Sequence, residues 1–197
     1  MVTPNTTVPQ NNFSTAEGGQ LLTSFAALTS IEESNNQIFG SNSSEILTGT
    51  PGDDEIFALG GDDTIIGTTG NDLLDGGDGF DTVDFGNFGE AVTILPAGAF
   101  DNSGQTQLNS IEKIIGATGR ANTIDGSTST GNVTSLDVDL GNNTFTVRDI
   151  PGIGSLNLEV ENFVNVIGTA AKDRIIGNSL DNNLSGGNGN DEIVRLV

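Results

Sequence analysis

The chain has no cysteine, histidine, tryptophan or tyrosine, and its one methionine is residue 1. Without cysteine there is no disulfide framework, thiol nucleophile or thiolate-ligated zinc. Without histidine the commonest general base and the imidazole metal ligand are gone. Most hydrolase mechanisms are thereby excluded, and the chain is expected not to be an enzyme. Positive charge is nearly as scarce: 6 Lys and Arg stand against 27 Asp and Glu, a net charge of −21, and no base precedes Lys113. Such a chain repels nucleic acid and anionic membrane, and it repels itself unless a cation arrives. Long apolar runs are missing too. LLTSFAALTSI at 21–31 is too short and too polar to span a bilayer, and MVTPNTTVPQNNF has no basic segment of the kind that opens a secretory signal. Neither a membrane insertion nor an N-terminal signal is expected.

Glycine is abundant, 28 of 197 residues, about twice the ~7% usual in globular proteins. Many of these glycines fall on a beat of nine. In the register GGxGxDxUx, where U is a large aliphatic, the units IEESNNQIF, GSNSSEILT, GTPGDDEIF, ALGGDDTII, GTTGNDLLD and GGDGFDTVD run from Ile31 to Asp84. Their U residues are Ile38, Leu47, Ile56, Ile65, Leu74 and Val83, and Val92 keeps the count for one degenerate unit more. ILPAGAFDNSGQTQ then breaks it. The beat resumes in GTAAKDRII, GNSLDNNLS and GGNGNDEIV, with Ile175, Leu184 and Ile193 at U and Val166 one unit earlier. Disordered acidic chain has no reason to keep such a period.

One nonapeptide cannot bury its single aliphatic, so units must stack, and the U ladder becomes the core. Glycines serve the tight turns. If two nonapeptides make one coil, sixth-place carboxylates eighteen residues apart stand about one strand spacing, ~4.8 Å, from each other. A bare column of this kind is destabilising, and a hard cation that accepts oxygen ligands resolves it. An acidic turn on a metal-free solenoid is the plainer alternative.

GGDGFDTVD and GGNGNDEIV match, and their neighbours nearly match, the repeat-in-toxin (RTX) nonapeptide, so the chain resembles RTX calcium-binding proteins. DTVDF, SIEKIIGATGRANTIDG and VENFVNVIGT resemble linking segments of cyanobacterial members. The resemblance implies an all-β fold, a right-handed parallel β-roll or β-solenoid holding Ca²⁺ between stacked turns. Carried onto this chain, the facing pairs are Asp54 with Asp72, Asp63 with Asp81, and Asp173 with Asp191. Carbonyls near Gly52, Gly61, Gly70, Gly79 and Gly189 would complete the shells. Glu45, Glu90, Asn36 and Asn182 hold the sixth place in weaker units and Asn122 in a worn one, where binding is expected to be weaker or replaced by an uncharged spacer. Asp53, Asp62, Asp75, Asp78 and Asp84 are expected to be solvated. Paired acids such as Asp53 and Asp54 also suit a glycosidase, but the repeat already accounts for them.

The expected organisation is a capping or docking segment at 1–30, a first repeat block at 31–93, an irregular β-solenoid or β insertion at 94–165, and a second block with its tail at 166–197. Within the third region LDVDL, FTV and LNLEV alternate as half-buried strands between GNN and PGIG turns. The one helical pattern, GGQLLTSFAALTSIEE at 18–33, is suited to cap a stack. NDEIVRLV at the end resembles the uncleaved C-terminal signals of type I secretion substrates, so the secretion machinery is an expected partner and the location secreted, extracellular or cell-surface. Two functions remain. One is a structural protein that folds on Ca²⁺ outside the cell and self-associates into matrix, surface layer or filament; the other is a monomeric folding and export module of a secreted enzyme or toxin.

Overall fold

The structure, a computed structural model, describes residues 36–95, 99–101, 104–129 and 134–196. The helical pattern at 18–33 and the segment 1–30 lie outside these residues. The described residues are all β. In the first block β1 (Asn36–Phe39), β2 (Ile46–Thr48), β3 (Asp54–Phe57), β4 (Thr64–Ile66), β5 (Leu73–Asp75) and β6 (Thr82–Asp84) are one per nonapeptide. Each is short because the glycine-rich half of every unit turns. Successive strands enter opposite sheets, so β1, β3 and β5 pair in parallel in one sheet and β2, β4 and β6 in the other. The register shift is eighteen residues, as in Ile38 beside Ile56 and Ile65 beside Val83.

The break after Val92 has a topological cause. β7 (Thr93–Ile94), β8 (Ala99–Asp101) and β9 (Gln105–Asn109) form an antiparallel meander inside the first sheet. The chain skips ahead to β7, then doubles back until β9 lies parallel to β5. β10 (Lys113–Ile115) resumes beside β6, and β11 (Asn122–Asp125) beside β7. The second sheet then repeats the manoeuvre with β12 (Ser135–Asp139), β13 (Thr144–Ile150) and β14 (Gly154–Glu161), the last returning to β10. These are the three strands expected from LDVDL, FTV and LNLEV. β15 (Phe163–Ile167), β16 (Arg174–Ile176), β17 (Asn183–Ser185) and β18 (Glu192–Val194) close the two sheets in parallel register.

One meander in each sheet keeps the sheets equal, nine strands apiece among the described residues, and the two repeat blocks belong to one continuous β-roll. The middle region is thus part of the solenoid, spliced by two hairpin-connected insertions. Where β12–β14 replace single turns, Leu136, Val138, Phe145 and Val147 continue the core.

The core between the sheets is the U ladder. Ile56, Ile65, Leu74, Val83, Ile124, Val166 and Ile175 are buried. Each contributes roughly 1.5–3 kcal/mol of burial. At the ends the ladder has a neighbour on one side only, which leaves Ile38 and Leu47 partly buried and Ile193 40% exposed. Outside the core, Arg148 and Arg174 both bond Asp137, at 2.6 and 3.0 Å, and hold its carboxyl below the ordinary range against the opposing effect of burial.

Candidate metal centre

The sixth place of each nonapeptide immediately precedes or begins its strand, with its side chain on the core side of the turn. Asp54, Asp63, Asp72, Asp81 and Asp173 are all buried, between 0 and 2% exposed, and Asp191 on the last turn is partly buried. The structure brings the three expected pairs together, one rung apart. Asp54 donates its backbone N–H to Asp72 Oδ1 at 3.1 Å, Asp63 to Asp81 Oδ1 at 2.8 Å, and Asp173 to Asp191 Oδ1 at 3.0 Å. Within the protein itself the carboxylates of the column are already partly hydrogen-bonded. Asp63, Asp72, Asp81, Asp173 and Asp191 are each tied by one oxygen to the peptide of the preceding rung, because neighbouring turns lie at strand spacing and the side chain reaches across, whereas Asp54 bonds Thr50 within its own turn.

The column on the second sheet is longer than the repeat indicated. The Glu45 N–H reaches Asp63 Oδ1 at 2.7 Å, and the Asp81 N–H reaches Glu112 Oε2 at 2.8 Å. Glu45, Asp63, Asp81 and Glu112 therefore occupy successive rungs. Glu112 was not expected as a site residue, because the β7–β9 meander sets it 31 residues beyond Asp81 instead of eighteen. Its signal was the acid-x-aliphatic spacing Glu112-Lys113-Ile114. The first-sheet column is shorter, since Thr106 stands in register after Asp72.

Burial pushes the Asp72 carboxyl up to about 6 from an ordinary 3.8, with the nearby Asp54 and Asp53 charges adding to it. Asp81 is raised by burial as well, and by Asp63, Glu112 and Asp62.

The fourth-place glycines are required by close approach. Gly61, Gly70, Gly79 and Gly189 all have φ between 103 and 146°, where an L side chain is strained. A Cβ at Gly70 would collide with the Gly52 carbonyl oxygen, one at Gly79 with that of Gly61, and one at Gly189 with that of Ala171. Fourth-place carbonyls therefore stack rung on rung beside the acids, and Gly52, without a positive φ, supplies its carbonyl to this stack. Among the described residues no three acidic side chains gather into a ready-made cluster. Any metal shell here combines carboxylate with backbone oxygen, which suits a hard cation such as Ca²⁺.

The polar demand inside the turns also fits a cation. Asp63 Oδ2, Asp81 Oδ2 and Ser129 Oγ are the buried side-chain polar atoms without a hydrogen-bond partner among the described residues. Two of these three are sixth-place carboxylate oxygens on adjacent rungs. An unpaired buried carboxylate oxygen costs several kcal/mol unless something cationic meets it.

Sixth-place asparagines show the uncharged counterpart. Asn122 accepts the Val92 N–H at 2.8 Å and donates through Nδ2 to the Ala117 and Asn162 carbonyls at 2.8 and 2.7 Å. Asn182 donates to the Val164 carbonyl at 3.1 Å. In these turns an amide donor takes the part a cation would take beside a carboxylate. The fifth-place acids lie toward solvent as expected, Asp62 exposed and Asp53 half-buried, and from there they also stitch rungs: Asp53 accepts from the Asn71 backbone at 2.7 Å and Asp62 from the Phe80 backbone at 3.0 Å.

A parallel β-roll whose glycine turns stack carboxylates and carbonyls at eighteen-residue intervals defines a class of repeat-built, cation-dependent β proteins. Residues 33–56, 39–72, 48–83 and 167–194 match the RTX calcium-binding nonapeptide repeat. The two blocks are RTX calcium-binding repeats, and the ion such repeats take is Ca²⁺. No curated protein matches the chain. Among solved structures it is similar to a solution structure of a subunit from the Azotobacter vinelandii mannuronan C5-epimerase, at 23% identity over 62% of this chain and 72% of that one, with a TM-score of 0.35.

Proposed function

We propose that the protein is a non-catalytic Ca²⁺-binding β-roll, exported by a type I route and folded by the ion outside the cell, where it serves as a structural component of a matrix, surface layer or filament. The observation that carries the calcium reading is the pair Asp63 and Asp81, both buried, stacked 2.8 Å from N–H to carboxylate, with one oxygen each left unpartnered. Where free Ca²⁺ is scarce, 27 acids against 6 bases keep the chain loose. Where it is plentiful, binding to the folded state alone stabilises that state by mass action.

Self-association is supported by the ends of the roll. Among the described residues β1 and β2 at one end and β17 and β18 at the other each have a strand neighbour on one side only. Apolar side chains crowd both ends, with Ile46 75% and Phe39 61% exposed at the first and Leu180 60% exposed at the last. Unpaired edges flanked by apolar surface are templates for a further chain.

Sedimentation velocity of the full chain, in chelator and then in millimolar Ca²⁺, tests the reading. Conversion of an expanded monomer into large assemblies supports the structural role. A compact monomer in Ca²⁺ would move the protein to the class of folding and export modules, and no response to Ca²⁺ would remove the reading altogether.

A further inference from the structure

The repeats contain two kinds of turn, distinguished by the second residue of the nonapeptide. In the first kind that residue closes the turn onto its own sixth-place side chain. Thr50 N–H donates to Asp54 Oδ2 at 2.7 Å, and its hydroxyl lies 3.1 and 3.2 Å from the two carboxylate oxygens. Thr169 does the same for Asp173, at 2.6 Å from the backbone and 3.0 and 3.1 Å from the hydroxyl. Ser41 closes on Glu45 and Asn178 on Asn182 through backbone bonds of 2.7 and 2.8 Å. Thr68 closes on Asp72 more loosely, through its hydroxyl at 3.4 Å.

In the second kind the second residue has a positive φ and turns its N–H elsewhere. These residues are Leu59 (φ 78°), Gly77 (φ 90°) and Gly187 (φ 79°). Their sixth-place partners are Asp63, Asp81 and Asp191, and the two fully buried ones are those whose Oδ2 has no partner. Asp81 Oδ2 lies over the α-carbon of Gly76, where a Cβ would collide with it, so the oxygen points into the turn itself. Leu59 is unusual in holding a left-handed conformation, which costs an L residue about 1–2 kcal/mol.

From this division, and resting on the calcium reading above, we infer that the second residue of each nonapeptide decides whether its turn takes Ca²⁺, and that uptake in the first block is confined to the second-sheet edge carrying Asp63 and Asp81. On the opposite edge Thr50 and Thr68 supply from within the chain the hydrogen bonds that a cation would otherwise replace. Asp54 and Asp72 are then structural acids in spite of a sixth-place identity indistinguishable from that of Asp63 and Asp81. The open turns are coupled in one column, since Asp81 bonds Asp63 below and Glu112 above it. Filling that edge stiffens the half of the roll on which β10 and β14 are laid.

Isothermal titration calorimetry of the full chain with CaCl₂ tests this. Asn is a natural sixth-place residue here, at 122 and 182, so Asp→Asn substitutions keep a tolerated shape. Asp81→Asn should weaken the tightest site at least about tenfold, a change of about 1.4 kcal/mol. Asp54→Asn combined with Asp72→Asn should leave the affinity and number of tight sites unchanged. Equal losses in the two variants, or a larger loss in the double variant, would overturn the inference while leaving the calcium reading intact. Failure of the unsubstituted chain to bind Ca²⁺ would overturn both. Thr68→Gly replaces no acid, and by opening the Asp72 turn it should add one bound ion per chain; an unchanged stoichiometry would overturn the role given to the threonine.

Discussion

The carboxyl of Asp72 makes the calcium-free protein more stable in mild acid than at neutrality. Its folded pKa stands at about 6 against 3.8 for an ordinary aspartate, so the folded chain retains a proton that the unfolded chain releases between these values. The stabilisation is fully present below pH 3.8 and is lost as the pH rises through 6. A shift of roughly two units corresponds to at most ~3 kcal/mol, and solvent screening at the turn edge reduces this to about 1.5 kcal/mol. For a chain of this size that is a melting-temperature difference of about 3–6 °C. The raised Asp81 acts in the same direction, while Asp137, held below the ordinary range, opposes it only in stronger acid. Melting followed by circular dichroism in chelator, at steps from pH 4 to 7, should show a falling midpoint, and Asp72→Asn should flatten much of the slope. In saturating Ca²⁺ the trend should reverse, because the ion needs the ionised carboxylates. A chelated protein whose midpoint is flat or rises over this range would refute the argument.

Three other substitutions test separate parts of the structure. Asn122→Asp places a charge against the Ala117 and Asn162 carbonyls that now accept its amide. It should cost about 2–4 kcal/mol in chelator and recover part of this in Ca²⁺, read from urea midpoints. Gly79→Ala forces a Cβ into the Gly61 carbonyl at a φ of 146°, and should lower stability by at least about 2 kcal/mol with or without the ion. Leu74→Ala opens a cavity at a rung with neighbours on both sides and should cost roughly 2–5 kcal/mol by the same measurement.

The repeat and its phase were legible in the amino-acid order alone, and the resemblance to RTX repeats added the parallel β-roll and the pairing of Asp54 with Asp72, Asp63 with Asp81 and Asp173 with Asp191. A nine-residue period with one aliphatic per unit requires the units to stack, and the structure makes two units one coil, so that residue i lies beside i+18. The need for a cation was equally plain, because nothing in the first 112 residues opposes their acids.

Tertiary structure decided what the period could not carry. Whether ILPAGAFDNSGQTQ ends the roll or splices it depended on β9 finding the free edge of β5, a pairing between segments about thirty residues apart. The same detour brought Glu112 onto Asp81, out of reach of any counting rule. The difference between acids that need an ion and acids already satisfied rested on backbone direction at the second residue. Identical aspartates at identical places in the repeat meet a Thr50 N–H in one turn and a left-handed Leu59 in the next. Composition and period specify which groups meet, but hydrogen bonds depend on direction, and direction is settled only when the turns are stacked.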